Sequence, residues 1–216
     1  VAENLATAEF TAARAEFDLG GLARNLDRAA ERAITFAIDG AVSGIAAERE
    51  EVGEALGERI TLDVDGSWNA GEPVRLANAA LAGNGLSVSL QGDIAELAFI
   101  GDIAVEAESI APFSALAGRD LGGALDLSAN GRIEPVGGAF DLTIDSASQD
   151  LQVGTEAADN LLAGRSTITG RVARGETGLT VDALRVGNER ITLTADGTVS
   201  SQAADFDYAL TLADLA

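Results

Sequence analysis

The clearest pattern in the chain is a pair of alternating segments between Leu179 and Asp196, separated by Gly187-Asn188. Successive side chains of a β-strand fall on opposite faces of a sheet, so a period of two indicates a strand with one apolar face. The apolar positions are Leu179, Val181, Ala183, Ile191, Leu193 and Ala195. The positions between them are Thr180, Asp182, Thr192, Thr194 and Asp196. We therefore predict a β-hairpin with an aliphatic face and an Asp/Thr face.

The same alternation recurs along most of the chain and predicts an all-β protein. Gly, Asn and Asp stand at the joints, as hairpin connections require, so we expect successive strands to pair antiparallel. The predicted strands are 5–17, 34–38, 60–65, 86–90, 98–108, 125–128, 140–145, 165–173, 178–186, 190–197 and 204–212.

A few short segments depart from the alternation and predict helices or helical turns. The clearest is 22–33, where Leu22, Leu26 and Ala29 recur at the spacing of one helix face. Each apolar face is too narrow to organise a domain, so we expect these segments to flank the sheet. The other candidates are 48–57, 109–118 and 154–164.

The chain also contains an internal repeat. The segment LSVSLQG, ending at Gly92, matches ITLTADG, ending at Gly197, at an offset of 197 − 92 = 105. We predict a first unit over 19–109, a second unit over 110–214, and the end of a preceding unit over 1–18. Arrays of this kind extend by adding units that touch mainly their neighbours. We expect the chain to be a fragment of a longer protein.

The composition narrows the possible partners. The chain has 35 acidic and 14 basic residues, a net charge of −21, and all of the basic residues are arginines. Such a balance argues against nucleic acid and against electrostatic docking on an anionic membrane. No run approaches the roughly 20 apolar residues of a membrane-spanning helix.

The candidate chemistry is sparse. The chain has no His and no Cys, which nucleophilic triads and most metal sites require. The carboxylate pairs Asp63/Asp65 and Asp205/Asp207 lie two apart on predicted strands, where solubilising charges belong, although such pairs also bind Ca²⁺ or act as acid and base. We predict no enzymatic activity, no catalytic residue, no cofactor and no metal.

Strands that are apolar on one side need a partner for that side, which a sandwich or a barrel supplies. One Trp, one Tyr and seven Phe are few for such a core. We favour an elongated, curved antiparallel sheet that forms an open groove, a half-pipe lined by aliphatic side chains. The predicted lining is Leu62, Val64, Leu86, Val88, Leu90, Ile103, Val105, Leu125, Leu127, Phe140, Leu142, Ile144, Leu179, Val181, Ile191, Leu193, Phe206, Tyr208, Leu210 and Leu212.

The repeated unit resembles the repetitive region of TamB-like proteins, of the AsmA-like or bridge-like lipid transfer group. Short strands such as LDLS from Leu125 and GAFDLTID from Gly138 alternate with linkers such as SIAPFSALAG from Ser109 and NLLAG from Asn160. The resemblance implies a β-taco groove in the periplasm of a Gram-negative bacterium, within a protein anchored in the inner membrane. It also implies an outer-membrane barrel partner of the TamA type, a role in outer-membrane protein assembly, and phospholipid acyl chains as the occupant of the groove.

Several alternatives stay open at this stage. A membrane β-barrel fits the alternation but lacks evident aromatic girdles. A secreted or surface adhesin built of β-modules would bury the same apolar face in a closed core. Within the groove reading, a polypeptide is an alternative to lipid.

Overall fold

The structure is a computed structural model that describes residues 1–6, 10–47 and 49–213. Thirteen strands form a single sheet in which the strand order equals the chain order, and each described pairing is antiparallel. The first and last strands do not pair, so the sheet is open. The strands are β1 Ala2–Ala6, β2 Phe10–Arg24, β3 Ala33–Ala47, β4 Arg59–Asn69, β5 Val74–Gly83, β6 Leu86–Ala95, β7 Ala98–Ala107, β8 Gly122–Glu134, β9 Ala139–Gln152, β10 Arg165–Gly175, β11 Gly178–Gly187, β12 Ile191–Val199 and β13 Ala204–Leu212. The predicted fold class, an open antiparallel sheet, is confirmed.

Three short helices lie on the side of the sheet where β3, β7 and β9 end. They are α1 Glu50–Leu56, α2 Ser114–Ala117 and α3 Glu156–Leu162. They follow β3, β7 and β9, and α2 is preceded by the 3₁₀ turn Ala111–Phe113. The segments predicted at 109–118 and 154–164 are therefore confirmed, as is 48–57 over its described part. α1 contacts β3 and α2, and α3 contacts β9. The hydrogen-bonded ladder of strands continues without interruption past the helices.

The helix predicted over residues 22–33 is wrong. β2 runs to Arg24, β3 begins at Ala33, and only Ala29–Glu31 forms a 3₁₀ turn. The pairing of Leu22 with Thr35 extends the hairpin into the predicted helix. Leu22 and Leu26 are more than half exposed, so no partner rewards an apolar helix face here. Hairpin pairing overrides the local 3.6-residue periodicity.

α1 and α3 are each held by an asparagine in a turn between two strands. The side-chain amide of Asn84, in the β5–β6 turn, donates to the Glu54 carbonyl of α1 at 2.5 Å. The amide of Asn188, in the β11–β12 turn, donates to the Leu161 carbonyl of α3 at 2.6 Å. Each contact satisfies a carbonyl at a helix C-terminus, where intrahelical donors run out.

β5 and β11 each carry one extra residue. The register shifts between Leu76 and Ala79 in β5, and between Val181 and Leu184 in β11. The shifts are 105 residues apart, since 181 − 76 = 105 and 184 − 79 = 105, which matches the sequence repeat. The unit boundaries at residues 19 and 110 stay predictions, and the first of them falls inside β2.

Candidate functional site

The apolar side chains form continuous rows across the sheet, because residues directly opposite one another in an antiparallel ladder share a face. The central row crosses twelve strands without a charged residue. Its members, from β2 to β13, are Phe17, Gly40, Leu62, Leu81, Val88, Val105, Leu127, Ser146, Ile168, Val186, Leu193 and Leu210.

Two further rows flank the central one. The row on the helix side holds Ala15, Val42, Ile60, Gly83, Leu86, Ala107, Leu125, Ser148, Ser166, Ile191 and Leu212. The row on the other side holds Leu19, Ile38, Val64, Ala79, Leu90, Ile103, Ala129, Ile144, Gly170, Leu184, Ala195 and Tyr208. We call these three rows, with the two described next, the apolar face.

A fourth row is rich in glycine and a fifth in large side chains. The glycine row is Gly21, Phe36, Gly66, Leu76, Gly92, Gly101, Gly131, Leu142, Val172, Val181, Gly197 and Phe206. The fifth row is Ala23, Ile34, Trp68, Val74, Ile94, Phe99, Ile133, Phe140, Arg174, Leu179, Val199 and Ala204. All twenty predicted lining residues stand in these five rows. That placement is a fact of register, and their contact with lipid stays a prediction.

Several glycines of this row stand where a neighbouring strand leaves no room for a side chain. A Cβ on Gly92 would collide with the carbonyl of Ile100 on the next strand, and a Cβ on Gly131 with the carbonyl of Asp141. Phe36 and Phe206 lie over Gly66 and Gly197 in neighbouring strands, as aromatic side chains do when they cover a strand glycine.

Burial also differs between the two faces of the sheet. Side chains that are less than a tenth exposed concentrate on the apolar face: Ala15, Phe99, Ala107, Ala129, Val181, Ile191, Ser146, Ser148 and Ser166. Most of the face, however, is only partly buried. Leu81 in the middle of the sheet is 43% exposed, and Leu210 on the last strand is 52% exposed. The apolar face is therefore partly covered and is not packed shut.

Several members of the apolar face were missed by sequence reasoning. β5 as a whole was not predicted, because Ala77 and Asn78 break its alternation at the bulge. In β11, Ala183 was assigned to the apolar face, but the bulge exposes it and places Leu184 there instead. The 105-residue offset of the repeat aligns β5 with β11, so it could have revealed β5 from the sequence.

The opposite face is polar. Arg171 on β10 reaches Asp141 on β9 with two hydrogen bonds, of 2.7 and 2.5 Å, and lies 3.5 Å from Asp182 on β11. The hydrogen bond from Arg171 lowers the pKa of Asp141, and the same contact raises the pKa of Arg171. The carboxylate pairs Asp63/Asp65 and Asp205/Asp207 both lie on this face, and among the described residues no cluster of carboxylates is arranged to hold a metal ion.

Three carboxylates stand side by side on the polar face. Asp39 lies directly opposite Asp18 on one strand and Asp63 on the other. A shared hydrogen bond with Asp63 is the largest cause that raises the pKa of Asp39, and burial and the charges of Asp63, Asp65 and Asp18 act in the same direction. Like charges directly opposite in a sheet are destabilising.

We expect Asp39→Asn to raise the melting temperature at about pH 7 and to leave it unchanged near pH 3. The folded state holds the Asp39 proton more tightly than the unfolded state, so this residue costs stability as the pH rises above its ordinary value of 3.8. Thermal unfolding of both proteins across pH tests this. Asp145→Asn is the matched control, since Asp145 faces Ser128 and Thr169. An equal gain in the control, or none in Asp39→Asn, would contradict the prediction.

Comparison with known proteins adds no identification. The chain matches no protein-family model, no curated protein and no solved structure. Within the described part of the chain, no helix has the length and apolar character needed to cross a membrane.

Proposed function

We propose that this chain is a segment of a TamB-like, envelope-spanning protein of a Gram-negative bacterium, and that its apolar face carries phospholipid acyl chains through the periplasm, between the inner and outer membranes. The observation that supports the proposal best is the central row, which crosses twelve strands without a charged side chain and stays partly exposed. Exposed apolar surface of this extent is rare on monomeric soluble proteins and usually marks an interaction surface.

The length of the face suits a conduit. Thirteen strands have twelve spacings, which at about 4.8 Å each make a trough of about 58 Å. An acyl chain forms no directional bonds, so many interchangeable aliphatic residues serve it equally well. This explains a surface that has an obvious chemical character and no motif.

The backbone favours an acyl chain over a polypeptide. The N–H and C=O groups of the inner strands are paired within the sheet, and the apolar side chains project from it. A polypeptide on this face would leave its own backbone groups unpaired, and each such group is costly away from water. An adhesin with a closed core receives no support, because the sheet is open.

In this proposal the segment works together with other parts of a longer protein. An inner-membrane anchor and contact with an outer-membrane barrel of the TamA type belong to regions outside residues 1–216. The proposed role in outer-membrane protein assembly depends on those regions, and the segment contributes the lipid path.

The direct test is binding of a phosphatidylcholine that carries a fluorophore on one acyl chain. We expect saturable binding with a blue-shifted emission, because the fluorophore leaves water for the apolar face. An unlabelled phosphatidylcholine should compete, whereas a soluble phosphocholine head group should not. Absence of binding, or competition by the head group alone, would contradict the proposal.

A further inference from the structure

Three serines interrupt the apolar face on β9 and β10. Ser146 stands in the central row, and Ser148 lies directly opposite Ser166 in the helix-side row. They are 3%, 4% and 1% exposed, which places them among the most deeply buried side chains on that face. The neighbouring positions on β8, Leu125 and Leu127, keep the aliphatic pattern.

Two of the three hydroxyls lack a hydrogen-bond partner within the described part of the chain. Ser166 accepts a hydrogen bond of 3.0 Å from the amide of Asn188. The hydroxyls of Ser146 and Ser148 have no hydrogen-bond partner among the described residues. Leaving a buried hydroxyl unpaired is costly, and alanine at the same position would avoid that cost.

The connection from Asp150 to Gly164, which contains α3 and which we call the flap, packs against β9 and lies near Ser166, because its Leu161 carbonyl and the Ser166 hydroxyl both accept from the amide of Asn188. Its base is closed by two hydrogen bonds, from the Asp150 N–H to the Gly164 carbonyl at 2.9 Å and from the Gly164 N–H to the Asp150 carboxylate at 2.8 Å. Near its C-terminal end, the Leu161 carbonyl accepts from the amide of Asn188, which also donates to Ser166, and the Asn160 carbonyl accepts from Arg190 at 2.6 Å. The polar contacts of the flap thus lie at its base and toward the β11–β12 turn.

We propose that Ser146 and Ser148 form a binding site for the ester carbonyl oxygens of an acyl lipid in the groove, which is reached when the flap lifts. This inference rests on the proposed function. A hydroxyl donor without a partner requires an acceptor, and neither the central row nor the helix-side row holds an arginine. A phosphate or a carboxylate would therefore be desolvated without a counter-charge, whereas an ester carbonyl is a neutral acceptor.

The test compares a phosphatidylcholine that has two ester-linked chains with its ether-linked analogue of the same chain length. Each displaces the fluorescent phosphatidylcholine from the protein. We expect the ester lipid to bind about fivefold more tightly, the size expected of ordinary hydrogen bonds. The double variant Ser146→Ala/Ser148→Ala should lose this preference while its melting temperature is unchanged or higher. Ser128→Ala, on the polar face, is the matched control and should keep it.

The possible outcomes distinguish failure of the serine site from failure of the proposed function. Equal affinity of the wild type for both lipids would overturn the serine site and leave the acyl-chain groove standing. A preference that survives in the double variant would also overturn it, as would serine-dependent binding of an apolar peptide in place of lipid. If neither lipid binds, the proposed function fails as well. Amide exchange in α3 should increase when the ester lipid binds, and unchanged exchange would contradict the lifting of the flap.

Discussion

Gly131→Ala is expected to lower the free energy of unfolding by roughly 2–4 kcal/mol, from backbone strain and a steric overlap together. Gly131 has φ of +155°, a conformation that side-chain-bearing residues rarely adopt. A Cβ added there would also overlap the carbonyl of Asp141 on the neighbouring strand. The overlapping atoms belong to the backbone of β9, so no flexible side chain can move aside to make room.

Urea unfolding of the variant measures this cost. Gly175→Ala is the matched control, because Gly175 also lies in a strand and a Cβ there meets nothing within 4 Å. We expect the control to unfold within about 0.5 kcal/mol of the wild type. Equal stability of the two variants would contradict the predicted cost of a side chain at Gly131.

Val88→Asp and Leu193→Asp are expected to weaken phospholipid binding roughly tenfold or more while the protein stays folded. Val88 lies between Leu81 and Val105, and Leu193 lies between Val186 and Leu210, so each new carboxylate stands in the central row. Water reaches the charge when the groove is empty, because the face is partly exposed. Lipid must desolvate that charge, and binding falls.

The matched controls place the same carboxylate on the polar face. These controls are Ser89→Asp and Thr192→Asp. Ser89 lies between Ala80 and Ala104, and Thr192 lies between Gly187 and Thr211, so neither new carboxylate faces a like charge. Ser87 is a poorer choice, since it lies opposite Glu106. Binding should be retained in both controls. Unfolding of the two central-row variants would indicate a packed core, and unchanged lipid binding would contradict the conduit.

Much of the architecture was predictable because alternation is a local signal. The hairpin at Leu179 could be recognised since each strand alone shows which residues share a face. The bulges were not predictable in the same way. The residue that the bulge adds to β11 moves Ala183 off the apolar face, and only the pairing with β10 and β12 reveals it. The wrong helix prediction over 22–33 has the same cause. Its periodicity is visible in the local sequence, whereas its pairing with β3 involves a separate segment of the chain.

The glycine row and the serine site depend entirely on register. Gly92, Gly101 and Gly131 are scattered in sequence, and their alignment across three strands appears only when the ladder is known. Ser148 and Ser166 likewise lie 18 residues apart, since 166 − 148 = 18, and meet across the β9–β10 ladder. In the sequence of a single strand, each of them is an ordinary small residue. What makes them candidates is their place on a face that is mostly apolar.

The most direct measurement is photochemical mapping with a phospholipid that carries a diazirine on one acyl chain. The unmodified protein is loaded, irradiated and digested, and the labelled residues are located by mass spectrometry. Our account predicts labels on members of the apolar face from several strands, such as Val88, Val105, Leu127 and Leu193. Labels confined to the polar face, or spread equally over both faces, would contradict the claim that acyl chains lie in this groove.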